Sequence, residues 1–185
     1  GYSNDVLDKS SGTGGSGYVY NERLLNAVMY GYKMYTDGVT ISNYLVDKEG
    51  FLQVGDQIYN NLNSAIAAIE TEGTIIVIRN ENVHQSATIP SEKNITLDLN
   101  GHTLTMTQAI TNKGEFKLVD SSIDKSGLLK NTKTTAIVNQ GNMTLDGVSV
   151  NATGHGITGN SGTGTITIKN DAKLTASSYG LNITS

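Results

Sequence analysis

The stretch from Asn94 to Ser185 is one short unit written four times, and a repeat of that length leaves few folds open. The blocks are NITLDLNGHTLTMTQAITNKG, EFKLVDSSIDKSGLLKNTKTTAIVNQG, NMTLDGVSVNATGHGITGNSGTG and TITIKNDAKLTASSYGLNITS. Each opens on alternating apolar and polar residues: Ile95-Thr96-Leu97, Phe116-Lys117-Leu118, Met143-Thr144-Leu145 and Ile166-Thr167-Ile168. Period-two alternation puts Ile95, Leu97 and Leu99 on one face of a strand and Thr96 and Asp98 on the other. A repeat a little over twenty residues long, built from strands this short, marks a solenoid rather than a hairpin sheet.

Two further strands follow in each unit. The pattern places the second at 102–105, 127–130, 148–151 and 173–176, and the third at 109–112, 136–139, 156–159 and 180–183. Three strands per unit, separated by Gly, Asn, Asp and Ser turns, predict an all-β chain: a right-handed, three-sided parallel β-helix. One turn cannot bury its apolar row alone; stacking shares that row, each inward aliphatic contributing about 1.5–3 kcal/mol. Asn112 in ITNKG and Asn139 in IVNQG occupy the same slot of consecutive turns. Asn tolerates left-handed backbone, and stacked Asn amides bond along the axis, so these two residues predict a structural ladder.

Upstream, Leu62, Ala65, Ile66 and Ile69 form one apolar stripe at i, i+3, i+4 and i+7, which predicts a helix over Asn61–Glu72. Asn60 or Asn61 caps its start and Gly73 ends it, while Glu70 and Glu72 oppose its dipole. A β-helix leaves the core and strand edges of its first turn open, and an N-terminal capping α-helix is the natural lid. The first turn then begins at Thr74–Arg79, and SATIP at 86–90 supplies another strand, with the single proline at a turn.

This divides the chain into a Gly/Tyr-rich β lead-in and linker over 1–59 and the capping helix plus β-helix over 60–185. Residues 1–17 read as linker, and Ile41–Val46 with Gly50–Val54 read as a hairpin turned at Asp47-Lys48-Glu49. The last block stops at Ser185 with no change of pattern. Solenoids need a polar terminal cap, so a longer parent chain, or end-to-end stacking of the open turn on another copy, is expected. Gly1 in place of Met predicts a processed or recombinant start.

A net charge of −4, with 13 Lys plus Arg and no basic run, argues against nucleic acid as partner. No cysteine is present, which excludes disulfides and thiolate metal sites and suits a secreted bacterial protein as well as a cytosolic one. No apolar run approaches the roughly 20 residues that span a bilayer, so no membrane insertion is expected.

The run Leu62, Ala65-Ile66-Ala67-Ala68, then Gly73-Thr74-Ile75-Ile76, then NITLDLNGHTLT, resembles the opening of many bacterial right-handed β-helix proteins. It is similar to the pectate-lyase-like superfamily, and most of all to the adhesin-like surface repeat proteins of Gram-positive gut bacteria. The resemblance covers about Asn60 to Ser185. GGSGYVY at 14–20, followed by LLNA, resembles the tail of glycine-rich domains found ahead of such repeats. The resemblance implies an extracellular or wall-attached modular protein, usually without enzyme activity.

Enzymes share this fold, so catalytic readings need weighing. Gly154-His155-Gly156 matches a tripeptide of the polygalacturonase family, which also needs paired aspartates and a later Arg-x-Lys. No Asp-Asp pair exists and no Arg follows Arg79, whereas hydrolysis needs two carboxylates flanking the bond. A lyase needs a cation-binding carboxylate cluster and a base. Asp98 and Asp146 follow equivalent strands with Asp120 offset between them, but Asp at a strand end usually caps a turn, and Lys169 breaks the row. His84, His102 and His155 lack metal spacing, and no cofactor motif is present.

Binding readings remain. Tyr18, Tyr20, Tyr30, Tyr32 and Tyr35 crowd the lead-in, and Tyr30, Tyr32 and Tyr35 are the candidate carbohydrate contacts, although aromatic strands packing on a β-domain account for them as well. Excursions at 121–126 and 131–135 are where a solenoid grafts specificity, and Thr96, Thr144 and Thr167 form an outward polar row. The expectation is a non-enzymatic extracellular module of a bacterial surface protein, structural or adhesive toward a carbohydrate or a host or cell-surface component. The alternatives are a polysaccharide-binding module and a truncated or degenerate carbohydrate-active enzyme.

Overall fold

The structure is a computed structural model that describes residues 32–35, 45–48, 50–160 and 164–184. The chain divides into two units, Gly1–Glu49 and Gly50–Ser185. In the first, β1 (Tyr32–Tyr35) pairs antiparallel with β2 (Leu45–Lys48).

The second unit is a parallel β-solenoid of five turns. The first turn holds β5 (Glu72–Val77), β6 (Glu81–Val83) and β7 (Ala87–Ile89). The next holds β8 (Asn94–Asp98), β9 (Thr103–Met106) and β10 (Ile110–Asn112). The third holds β11 (Glu115–Val119), β12 (Leu128–Asn131) and β13 (Ile137–Asn139). The fourth holds β14 (Asn142–Asp146), β15 (Ser149–Ala152) and β16 (Ile157–Asn160), and the fifth β17 (Ile166–Lys169), β18 (Lys173–Ala176) and β19 (Leu181–Thr184). Equivalent strands stack into three sheets, which gives the solenoid three sides.

Because every turn-to-turn pairing is in register, each inward position becomes a column. Ile75, Leu97, Leu118, Leu145 and Ile168 form one, and Ala87, Ile110, Ile137, Ile157 and Leu181 another. These columns are the core, continuous from the first turn to the fourth.

Four sequence expectations need correction. The helix α1 is Leu62–Ala68, not Asn61–Glu72. Ile69 fits the helical stripe but has extended backbone (φ −89°, ψ 124°), and Glu72 and Gly73 already belong to β5. Ile69 is buried for another reason: three of its side-chain carbons lie 3.1 Å from where a Cβ on Gly73 would stand. It thereby fills the place that Gly73 leaves empty in the column Gly73, Ile95, Phe116, Met143 and Ile166.

The expected turn at Asp47-Lys48 is strand instead, both residues belonging to β2 (Leu45–Lys48); residues 41–44 of the expected 41–46/50–54 hairpin lie outside the described ones. β2 pairs with β1, while β3 (Leu52–Val54) pairs antiparallel with β4 (Gln57–Tyr59) around Gly55 (φ +55°) and Asp56. A two-residue turn led by glycine at positive φ is well suited to closing a hairpin. β3 also pairs antiparallel with β5, so both strands extend the first sheet. The first turn contains β6, unanticipated because only Val83 of its three residues is buried. Finally, the second strands at 103–106, 128–131 and 149–152 start one residue later than expected.

α1 is bound by its polar residues as well as its apolar face. Asn61 Oδ1 accepts the Asn63 and Ser64 amides at 2.8 and 3.2 Å, satisfying the helix start. Asn63 then behaves as a strand neighbour to β7: its Nδ2 donates to the Ser86 carbonyl (2.8 Å) and its Oδ1 accepts the Thr88 amide (3.1 Å). At the other end Lys93 Nζ donates to the carbonyls of Ile66 (2.8 Å), Ala67 (3.4 Å) and Ile69, supplying donors that the short helix otherwise lacks. Leu62, Ala65 and Ile66 are buried beneath it.

Candidate functional site

Of the candidate carbohydrate contacts, Tyr30 lies outside the described residues, and Tyr32 and Tyr35 are described only as backbone of β1. The structure brings the other singled-out residues into two polar networks and one aromatic pair.

The first network is the asparagine column. Asn112 and Asn139 are buried at 0% and 2% exposure, and Asn112 Nδ2 donates to Asn139 Oδ1 at 2.7 Å and to the Asn142 carbonyl at 2.9 Å. Asn112 Oδ1 accepts the Gly114 amide (3.1 Å), and Asn139 Nδ2 donates to the Gly141 carbonyl (2.7 Å). Neither residue has positive φ, so the amides serve the corner through hydrogen bonds and not through a left-handed backbone. The column reads Ile89, Asn112, Asn139, Gly159, Ile183, so the polar pair is confined to two turns. Asn131 does similar work at the next corner, accepting the amides of Lys133 and Thr134 and donating to the Gln108 carbonyl.

The second network is carboxylate-based. Asp98 is 8% exposed, and its Oδ1 accepts the amides of Asn100 and Ser121, both at 2.9 Å. Asp120 is 2% exposed; its Oδ1 accepts the Gly101 amide (2.8 Å) and the Ser122 amide (3.1 Å), and its Oδ2 the Gly127 amide (2.5 Å). Burial alone would raise the Asp120 pKa, but the neighbouring Ser122 hydroxyl and the three amides outweigh it and hold the carboxyl below its ordinary value. A side chain at 127 would collide with this carboxylate, since a Cβ there would lie 2.6 Å from Asp120 Cγ. The sequence signal that could have found the staple is an aspartate closing a strand, with glycines facing it on the turn below and at the next corner.

Asp146 instead pairs with Lys169 (3.3 Å) and accepts Asn170 Nδ2 (2.6 Å); the Asn170 contact lowers its pKa most, desolvation opposes it, and Lys169 and the charge of Lys117 bring it down further. Asp98 and Asp146 do share a register row, but Val119 stands between them and Lys169 beyond. Asp98 through Oδ1 and Asp120 through both oxygens thus accept backbone amides at the corner, and both are buried. Among the described residues, no group of three or more His, Cys, Asp or Glu could hold a metal ion.

His155, in the Gly154-His155-Gly156 tripeptide, stacks on Tyr179 of the following turn, with ring centroids 5.6 Å apart and planes 15° from parallel. Tyr179 is 62% exposed. Along the third sheet, a groove of about 80 Å³ is lined by Val138, Asn139, Gln140, Thr158, Gly159, Asn182 and Thr184.

The excursion at 121–126 is pinned from both sides. Lys125 Nζ donates to the Asp120 carbonyl (2.5 Å), and Ser126 Oγ donates to the Gly101 carbonyl (3.2 Å), while Ile123 at the tip is fully exposed. In the fifth turn Ile168, Leu181 and Ile183 are 44–45% exposed at positions whose equivalents in the turns below are buried. No helix among the described residues is long and apolar enough to cross a membrane.

The chain matches no protein-family model, and comparison with curated proteins and with solved structures returns no match.

Proposed function

We propose that the chain is a non-enzymatic, extracellular β-helix module of a bacterial surface protein, with a structural or adhesive role. One observation carries this reading: polar groups that a catalytic solenoid would leave open at its turns are here buried and bonded at the corners. Asp98, Asp120, Asn112, Asn131 and Asn139 are all 8% exposed or less, and their partners are backbone groups of their own and adjacent turns or one another. The outward row of the first sheet is Thr74, Thr96, Lys117, Thr144 and Thr167, a flat polar face suited to a stalk or to broad surface contact. In this reading the winding is right-handed, as parallel β crossovers almost always are, and α1 with β3 and β4 acts as the N-terminal cap. The resemblance to adhesin-like members of the pectate-lyase-like superfamily supports the same reading.

A carbohydrate is the second reading, favoured by the exposed Tyr179 ring backed by His155, near hydroxyl-bearing residues Ser177 and Ser178. Self-association through the exposed apolar positions of the fifth turn is a third contact, independent of either. A glycan array probed with calcium and with chelator tests the functional proposal. Absence of turnover of any bound polymer is the expected result, and degradation of one would overturn it. Loss of binding in Tyr30→Ala or Tyr32→Ala would place a glycan site in the lead-in, and loss in Tyr179→Ala would place it on the solenoid. Sedimentation at high concentration tests the self-contact: a clean monomer would contradict it.

A further inference from the structure

Asn100-Gly101 is the only Asn-Gly step in the chain, and it lies in the turn Leu99–His102, closed by the His102 amide on the Leu99 carbonyl (2.7 Å). Both central residues have positive φ, +48° at Asn100 and +79° at Gly101, which is the type I′ geometry. Asn100 is exposed, and its Nδ2 reaches the Val77 carbonyl at 3.4 Å. An Asn followed by Gly is chemically the least protected amide in a protein, because no side chain shields the following nitrogen. Here that nitrogen is not free. Gly101 N–H donates to Asp120 Oδ1 at 2.8 Å, across one turn of the solenoid.

We propose that Asn100 is a latent deamidation site and that Asp120 holds it closed. The reaction begins when hydroxide takes the Gly101 N–H proton. The nitrogen lone pair then attacks Asn100 Cγ, a C–N bond forms, the Cγ–Nδ2 bond breaks, and the side-chain nitrogen leaves as ammonia with a proton from water. The product is a five-membered succinimide, which water opens at either carbonyl to aspartate or isoaspartate at 100. No oxidant or cofactor is needed, and the net change is addition of water and loss of ammonia.

Asp120 opposes the first step twice. Its oxygen occupies the proton that hydroxide must remove, and its negative charge lies 2.8 Å from the nitrogen on which negative charge would develop. It also fixes the nitrogen's direction, because the same carboxylate is anchored by Ser122 and Gly127. The carboxylate stays ionised at neutral pH, so the guard is in place throughout the range in which deamidation proceeds.

The same turn geometry occurs at Lys169–Ala172, where Asn170 (φ +52°) and Asp171 (φ +58°) are central and the Ala172 amide donates to the Lys169 carbonyl. Asn170 therefore serves as an internal reference for general loosening.

The test is peptide mass spectrometry of the intact chain after incubation in mildly alkaline buffer, with isoaspartate scored at 100 and at 170. Native wild-type protein is expected to deamidate at Asn100 about tenfold or more slowly than the same protein unfolded in urea. Asp120→Asn, checked for native circular dichroism, is expected to raise the rate at Asn100 about tenfold with little change at Asn170. An unchanged rate at Asn100 in that variant, or a parallel rise at both positions, would overturn the proposal. Should the variant not fold, hydrogen exchange at Gly101 in the wild type decides the matter. A protected amide upholds the guard, and exchange at the unprotected rate rejects it.

Discussion

In the column Ile75, Leu97, Leu118, Leu145 and Ile168, the first four side chains are at most 1% exposed and the fifth is 44% exposed. The strands that carry them are of one kind: NMTLD of β14 and ITIK of β17 alternate identically. Burial in this molecule is therefore conferred by the turn above and not by the strand itself. At the first turn that service is performed by unlike elements. β3 pairs with β5 in place of a parallel neighbour, the Asn63 side chain donates to the Ser86 carbonyl and accepts the Thr88 amide of β7, and Ile69 fills the hollow over Gly73. The fifth turn has no such partners among the described residues, and its strands show exposed and half-exposed positions throughout.

The sharpest way to break the comparison is to truncate equivalent residues. Leu118→Ala should cost about 3–4 kcal/mol in a denaturant titration, and Ile168→Ala about 1 kcal/mol, although both stand in one column. Equal losses would mean that the fifth turn is as well covered as the third. Next in size is Asp120→Asn, expected to cost about 2–3 kcal/mol, because three backbone amides lose a charged acceptor. Its folded pKa is depressed, so its contribution is complete above the unfolded carboxyl value and disappears as pH falls through the folded one. The stability gap between wild type and Asp120→Asn should accordingly be constant near neutrality and close at acid pH; a gap that persists unchanged in acid would contradict the assignment.

Smaller effects separate the two asparagines. Asn112→Ala removes the acceptor of Gly114 and the donor of Asn139 in a buried site, and should cost about 2 kcal/mol. Asn139→Ala leaves Asn112 its bond to the Asn142 carbonyl and should cost about 1 kcal/mol, read from the same titrations. The smallest effect expected is Asn63→Ala, about 1 kcal/mol or less, as an increase in hydrogen exchange confined to β7 and α1. Exchange spreading into the third turn would show that the first turn does not open separately.

The solenoid was legible in the sequence because its signal is redundant: four openings such as Ile95-Thr96-Leu97 repeat the same alternation, and each supports the others. The third sheet's strands were placed within a residue for the same reason. Readings failed where one residue served two patterns. Ile69 completes a helical stripe by spacing, yet it is buried from an extended backbone because Gly73 needs a neighbour's side chain. β6 escaped because three residues with one buried position carry no period. Turn-capping by aspartate was anticipated as a class, but not that Asp120 reaches the Gly101 amide one turn below, since a contact between turns depends on register that no local motif encodes.

Residue-resolved native hydrogen exchange tests the central claim most directly, because it reads the coverage of each turn separately. The account predicts strongest protection in β8, β11 and β14, substantial protection in β5 through its pairing with β3 and β8, and weakest protection in β17, β18 and β19. Protection that is uniform across all five turns, or lower in β5 than in β17, would contradict it.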